Sequence, residues 1–246
     1  MKLAILLHGG AVARTALPLH PGDRALVRLS GRLGLEPIAV ELLAVGGVAP
    51  RAVNEAAADG LARAVRVVDD ALATADAPAT GLVAERVLRE LKPDLIAFVA
   101  AADPEGAADV PAVVAFRMGA AYVPDAFQLT ATTTMPDAPP AFTARAWRGA
   151  VEVTLALPRG AVVDVDPASA PANDTGAPET ASPRLPAVSP DGTPNKSASI
   201  GVMTLADLGL DATLVRRRDD LRGVVEPTAR PLVTTKSSTS LAAMLR

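Results

Sequence analysis

The sequence predicts a doubly wound α/β fold, with a mostly parallel sheet, helices on both faces, a β-hairpin extension and a C-terminal arm. Three observations carry that expectation. Short apolar runs alternate with amphipathic, helix-length stretches through the first half of the chain, the βαβ rhythm of a parallel sheet. Residues 95–101 form a continuous apolar run without alternation, as a strand covered on both faces requires. That run is flanked by two helical patterns, so the chain enters and leaves it as a central βαβ unit should.

In chain order, residues 2–7 are the first strand, ending in His8-Gly9-Gly10, where glycines let backbone approach a ligand. His20-Pro21-Gly22-Asp23 opens the first helix, with Leu26, Leu29 and Leu33 on one face and Gly34 at its end. Residues 38–45 are the second strand, followed by Gly46-Gly47 at its carboxyl end. Pro50 opens a helix that Gly60 stops, and Val65 and Val67 mark a third strand. Asp76 and Pro78 start the next helix, on which Ala84, Val87, Leu88 and Leu91 fall at i, i+3, i+4 and i+7. Lys92-Pro93-Asp94 breaks it, because proline cannot continue a helix and restricts the residue before it. After the buried strand comes a polar loop, Asp103-Pro104-Glu105-Gly106. Asp109 is then placed to cap a helix through Phe116, closed by Gly119.

Beyond Val123 the texture changes. Residues 142–147 and 151–157 are β-prone runs around Arg148-Gly149-Ala150, a hairpin, and 161–165 adds a strand. Residues 1–165 are therefore read as one α/β unit. Residues 166–199 are rich in Pro, Ala, Ser, Thr, Asp and Gly, too poor in large apolar groups to offset ordering entropy, and read as a flexible docking loop. Residues 200–246 supply a final strand, a capped turn at Thr204-Leu205-Ala206-Asp207-Leu208-Gly209 and an arm that packs on another chain.

The 246 residues are half hydrophobic but only 2% aromatic, so Ala, Val and Leu fill the core. A net charge of −3 gives no reason to invoke nucleic acid or an anionic membrane. The absence of cysteine removes disulfides, thiol catalysis and cysteine-ligated metals. No apolar stretch approaches the roughly 20 residues of a membrane span, and the short run after Met1 reads as a strand rather than a signal segment. The expected location is cytoplasmic.

In an open parallel sheet, ligands bind at the carboxyl ends of the strands. Several candidates fall there. His8 and His20 are the two histidines, each readable as a ligand-binding group or as a solvated cap. Gly46 and Gly47 stand at a strand's carboxyl end, readable as a ligand edge or as an ordinary turn, and the Gly9-Gly10 pair after the first strand lets backbone approach a ligand. Asp103 and Glu105 read as paired carboxylates or as a solvated loop. Arg216-Arg217-Arg218 is largely cancelled by Asp219-Asp220 and reads as a surface or subunit contact. No Ser/His/Asp or metal constellation emerges.

Four segments give a family resemblance. His20-Pro21-Gly22-Asp23 with Arg32-Leu33 is similar to an Asn-Pro-aromatic-Asp helix start. The ungapped stretch 88–123, with Lys92-Pro93-Asp94-Leu95-Ile96 and Ala115-Phe116-Arg117-Met118-Gly119, resembles a central βαβ unit. Leu157-Pro158 with Ala161-Val162-Val163 resembles a strand leaving a hairpin. The TLADLGLD sequence at 204–211 and Pro227-Thr228-Ala229-Arg230 resemble a C-terminal pattern. Together, in order and spacing, these resemble the beta subunit of electron-transfer flavoproteins.

The resemblance implies an adenine-nucleotide-binding-like sheet, an alpha-subunit partner that holds most of the FAD, and an AMP or second FAD on this chain. The nucleotide would lie against His8, Gly9, His20, Gly22, Gly46, Asp103, Asp109 and Val110. Electrons would arrive from a dehydrogenase and leave to a quinone-linked oxidoreductase or another acceptor, and the chain itself would perform no bond chemistry. Pro183-Arg184-Leu185-Pro186-Ala187-Val188 stands where that family docks its dehydrogenase, so Leu185 and Val188 would be the docking residues. The nucleotide loop departs from the family pattern: Asp109-Val110-Pro111 replaces a Gly-Gln-Val-Gly-like turn, Pro111 has no N–H to offer, and Asp109 would repel phosphate unless it faces away. Two other function classes remain open: a stand-alone nucleotide-binding regulatory module whose tail mediates homodimerisation, and a small enzyme using His8 or His20.

Overall fold

The computed structural model describes residues 1–99, 109–132, 141–166 and 198–215. Among these, one ten-stranded sheet runs in the order β10-β4-β3-β1-β5-β9-β6-β7-β8, with the short β2 beside β3. Its parallel part contains β1 (Lys2–Leu6), β2 (Val12–Ala13), β3 (Glu36–Leu43), β4 (Arg63–Val68), β5 (Leu95–Val99), β9 (Ala161–Val165) and β10 (Ser199–Met203). β6 (Tyr122–Thr132) pairs in parallel with β9 and antiparallel with β7 (Ala141–Arg148), which pairs antiparallel with β8 (Val151–Leu157). This is the expected doubly wound α/β architecture.

The two faces have separate cores, as the pleat of a strand dictates. Leu3, Ile5 and Leu7 pack with Leu26 and Val27 of α1 (Pro21–Arg32) and Val53 of α2 (Arg51–Ala58). Ala4 and Leu6 pack with Val83, Val87 and Leu88 of α3 (Ala77–Leu91) and Val114 of α4 (Val110–Met118). Because β1 sends its helix to one face and β5 to the other, the order reverses between them, and a crevice opens at their carboxyl ends.

Helix boundaries follow their chemistry. Asp76 caps α3, its Oδ1 accepting the Ala79 N–H at 2.9 Å, and Lys92 ends it in the left-handed region at φ 48 before Pro93. Gly119 closes α4 at φ 65. Thr204 and Asp207 cap one another, the Thr204 N–H donating to Asp207 at 2.7 Å and the Asp207 N–H to Thr204 Oγ1 at 3.3 Å.

Three features differ from expectation. Asp109 stands at the N-cap position of α4 but makes no side-chain cap bond, because its backbone is already helical at φ −87, ψ −15. The hairpin is the outer part of a three-stranded meander, since β6 precedes it. That strand was hidden by Pro124-Asp125, where a register shift against β9 interrupts the alternation and Asp125 turns to φ 53. The second strand begins at Glu36, because Glu36 already pairs with Lys2. Most of the loop 166–199, including Leu185 and Val188, the arm beyond Val215, and Asp103 and Glu105 lie outside the described residues.

Candidate functional site at the carboxyl edge

Where β1 ends, His8, Gly9 and Gly10 take three successive left-handed conformations, at φ 57, 66 and 84. For glycine this costs little, but for His8 it is a strained conformation held by its surroundings. The holding contact is a hydrogen bond from the His8 N–H to Asp23 Oδ2 at 2.8 Å. Asp23 is fully buried in the first turn of α1, and burial pushes its carboxyl up while the His8 N–H and the two histidines oppose that shift.

The same turn is closed by His20, whose Nδ1 accepts the Gly22 N–H at 3.2 Å, so His20 serves as the N-cap of its own helix. Gly22 is required sterically, since a Cβ there would lie 2.5 Å from Cγ1 of Val99. Val99 therefore covers the start of α1. Gly10 makes the corresponding approach on the other face, where an added Cβ would meet Val110 at 3.0 Å and Phe98 at 3.1 Å.

Beneath this edge lies a buried ionic pair. Glu41 and Arg66 are opposite one another in the β3–β4 register, and Arg66 Nε donates to Glu41 Oε2 at 2.7 Å. Arg66 also donates to the Val48 carbonyl at 2.9 Å. His8 Nε2 stands 3.9 Å from the other Glu41 oxygen, beyond hydrogen-bond reach. Burial works to raise the Glu41 carboxyl, but His8 and Arg66 outweigh it and hold the group below its usual range. His8 Nε2, Asp23 Oδ1 and Arg66 Nη2 are all buried without a hydrogen-bond partner.

On the neighbouring side, a cleft of about 310 Å³ opens between the loop after β1 and the start of α3. Gly10, Ala11, Leu17, Asp76, Thr80 and Val110 line it. Its size is at the lower end of the range for small-molecule sites. Arg14 flanks it, donating to the Ala73 carbonyl at 2.7 Å.

The structure brings His8, Gly9, His20 and Gly22 together around Asp23, and sets Val110 against Gly10. Gly46 lies apart in an exposed turn after β3, with only Val68 within reach of an added Cβ, at 3.9 Å. Asp109 is exposed at the start of α4. Sequence reasoning overlooked Glu41 and Arg66, although single charged residues inside the apolar runs of β3 and β4 were a readable signal. It also overlooked Asp23 as a buried group, and the pair Asp76 and Thr80 in the cleft. Among the described residues no cluster of His, Asp or Glu fits a metal ion, and no helix is long and apolar enough to cross a membrane.

Two comparisons with known proteins bear on this edge. The family model described as the electron transfer flavoprotein domain matches residues 10–193. No curated protein matches the chain.

Proposed function

The chain belongs to the electron transfer flavoprotein domain family, and on that premise we propose that it is the beta-type subunit of a two-subunit electron carrier. The observation that carries the reading is the family match over residues 10–193, which takes in the sheet strands from β2 to β9. The flavin-associated character of the family supports FAD as the redox group, held mainly by an alpha-type partner. That group supplies reversible electron storage when bound. This chain's contribution is to cover it, exclude water and present a docking surface.

In this reading electrons come from a dehydrogenase and pass to a quinone-linked oxidoreductase or another acceptor, in the cytoplasm. The beta assignment rests on the order of its motifs, above all TLADLGLD at 204–211 and Pro183-Arg184-Leu185-Pro186-Ala187-Val188. Leu185 and Val188 dock the donor, so the specificity of electron transfer lies in docking geometry rather than in a reacting side chain.

Co-expression with the FAD-carrying subunit tests the reading. Size-exclusion chromatography should give a yellow 1:1 pair whose absorbance is bleached by the donor dehydrogenase and its substrate. A colourless chain that forms a homodimer and binds ATP would replace it with the regulatory-module reading.

A further inference from the structure

Helix α4 departs from the pattern of a surface helix. Of its nine residues, VPAVVAFRM, only Arg117 is polar. A helix that is apolar all round is normally covered on all sides. Here Ala112 and Phe116, one turn apart, are exposed, and Val113 beside them is half-buried. Phe116 is 87% exposed, whereas the other phenylalanines, Phe98, Phe127 and Phe142, are all buried.

The neighbouring helix broadens this face and gives it a charge. Gly81 lets α3 approach α4 so closely that an added Cβ would overlap the Val113 side chain. Glu85, buried on α3, accepts a hydrogen bond from Arg89 Nε, while Arg86 Nε and Arg117 Nε stand 3.9 and 3.8 Å from its other oxygen. Arg89 also donates to the Arg117 carbonyl at 3.0 Å, which ties the last turns of the two helices together. One buried carboxylate is thus shared by three exposed arginines. Glu90 is the one exposed acid on α3, so the face is net positive on a chain whose net charge is −3.

An apolar centre within a rim of arginines is the anatomy of a protein interface. A second copy of this chain is a poor occupant, because pairing the face with itself sets arginines against arginines. An anionic membrane is a poor one too, since a single large anchor and three arginines that share a carboxylate offer it little purchase. Transient contact surfaces are no more apolar than the rest of a protein, whereas a permanent interface resembles a core cut in half. The uncovered apolar side of α4 fits the permanent case.

We propose that the outward face of α3 and α4 seats the alpha-type partner, with Phe116 entering an apolar pocket on that subunit and Arg86, Arg89 and Arg117 facing carboxylates around it. The proposal rests on the two-subunit reading above. Both helices end where β5 and β6 begin, so the seat lies toward the amino edge of the sheet, away from the candidate site.

The chain has no cysteine, so Ala112→Cys gives it a single thiol one turn from Phe116. Maleimide labelling of that thiol, read by mass spectrometry, should slow by roughly tenfold or more in the co-expressed pair relative to the lone chain, because a seated partner excludes water there. Phe116→Gln should raise the dissociation constant of the pair by roughly tenfold or more and leave the unfolding midpoint of the lone chain unchanged. Arg86→Glu should weaken the pair and flatten its salt dependence. A yellow pair that labels at the lone-chain rate, or that tolerates Phe116→Gln, overturns the proposal and leaves the electron-carrier reading standing. A chain that pairs with no alpha-type subunit overturns both. A homodimer of the lone chain, or its binding to phosphatidylserine vesicles, that is lost in Phe116→Gln gives the face another occupant and overturns the proposal as well.

Discussion

Asp23 Oδ2 accepts the His8 N–H at 2.8 Å and so ties the first turn of α1 to the left-handed exit of β1. Asp23→Ala leaves that N–H without a partner and should cost roughly 2–3 kcal/mol in denaturant unfolding. Asp23→Asn keeps an acceptor and relieves the burial of charge, so its cost should stay within about 1 kcal/mol. Equal losses in the two variants would show that the hydrogen bond is not what holds the turn.

Glu41 and Arg66 form a buried pair whose members depend on one another. Removing one partner strands the other charge, and Glu41→Ala should destabilise by about 3–5 kcal/mol. Replacing both, Glu41→Leu with Arg66→Met, should be close to neutral, since apolar side chains carry no desolvation cost. A double-mutant cycle by urea unfolding gives the coupling directly.

Asp164 sets a pH dependence. Burial, with Asp125 and Asp166 beside it, pushes its carboxyl up from 3.8 to about 6. The folded state therefore binds the proton more tightly than the unfolded state. Its contribution to stability is complete below about 3.8 and is lost as pH rises through about 6. Asp164→Asn should flatten that slope and be more stable than wild type at pH 8 by about 1 kcal/mol, after allowing for solvent screening. Parallel unfolding curves at pH 5 and pH 8 for both proteins would contradict the assignment.

Gly22 and Val99 are matched by shape. Gly22→Ala should cost about 1–3 kcal/mol through overpacking, because the new Cβ meets Val99 at 2.5 Å. Val99→Ala in the same chain removes the obstructing methyls and should recover part of that loss. Thermal unfolding of the single and double variants measures the recovery.

Val188 carries the docking proposal. Val188→Asp should slow reduction by the donor dehydrogenase by roughly tenfold, the loss expected of one apolar anchor worth about 1.4 kcal/mol. The FAD content of the pair should stay unchanged. Normal reduction kinetics in this variant would remove the docking role.

Much of the fold was legible because its signals are local. Pro21, Asp76, Lys92-Pro93 and Gly119 each act within a few residues, and they mark helix ends where the structure has them. β6 was not legible, since its identity as a strand depends on pairing with β7 and β9 across a bulge at Pro124-Asp125. At the candidate site, His8, His20 and Gly22 could be picked out by their positions beside strand and helix ends. Their actual contacts could not, because Asp23 lies 15 residues from His8, and Val99 is still further from Gly22.

The sequence by itself determined the order of the helices and of most strands, the two-faced burial of β5 and the motif series that led to the electron transfer flavoprotein family. These follow from periodicity, turn chemistry and short-range capping, which a linear chain displays directly. Only the tertiary structure decided which polar groups meet. Crossover connections bring β3 and β4 side by side, so Glu41 finds Arg66, and they seat α1 on β5, so Val99 closes over Gly22. Whether a helix start offers its N–H groups to a ligand or spends them on its neighbours depends on such long-range packing, and composition does not encode it.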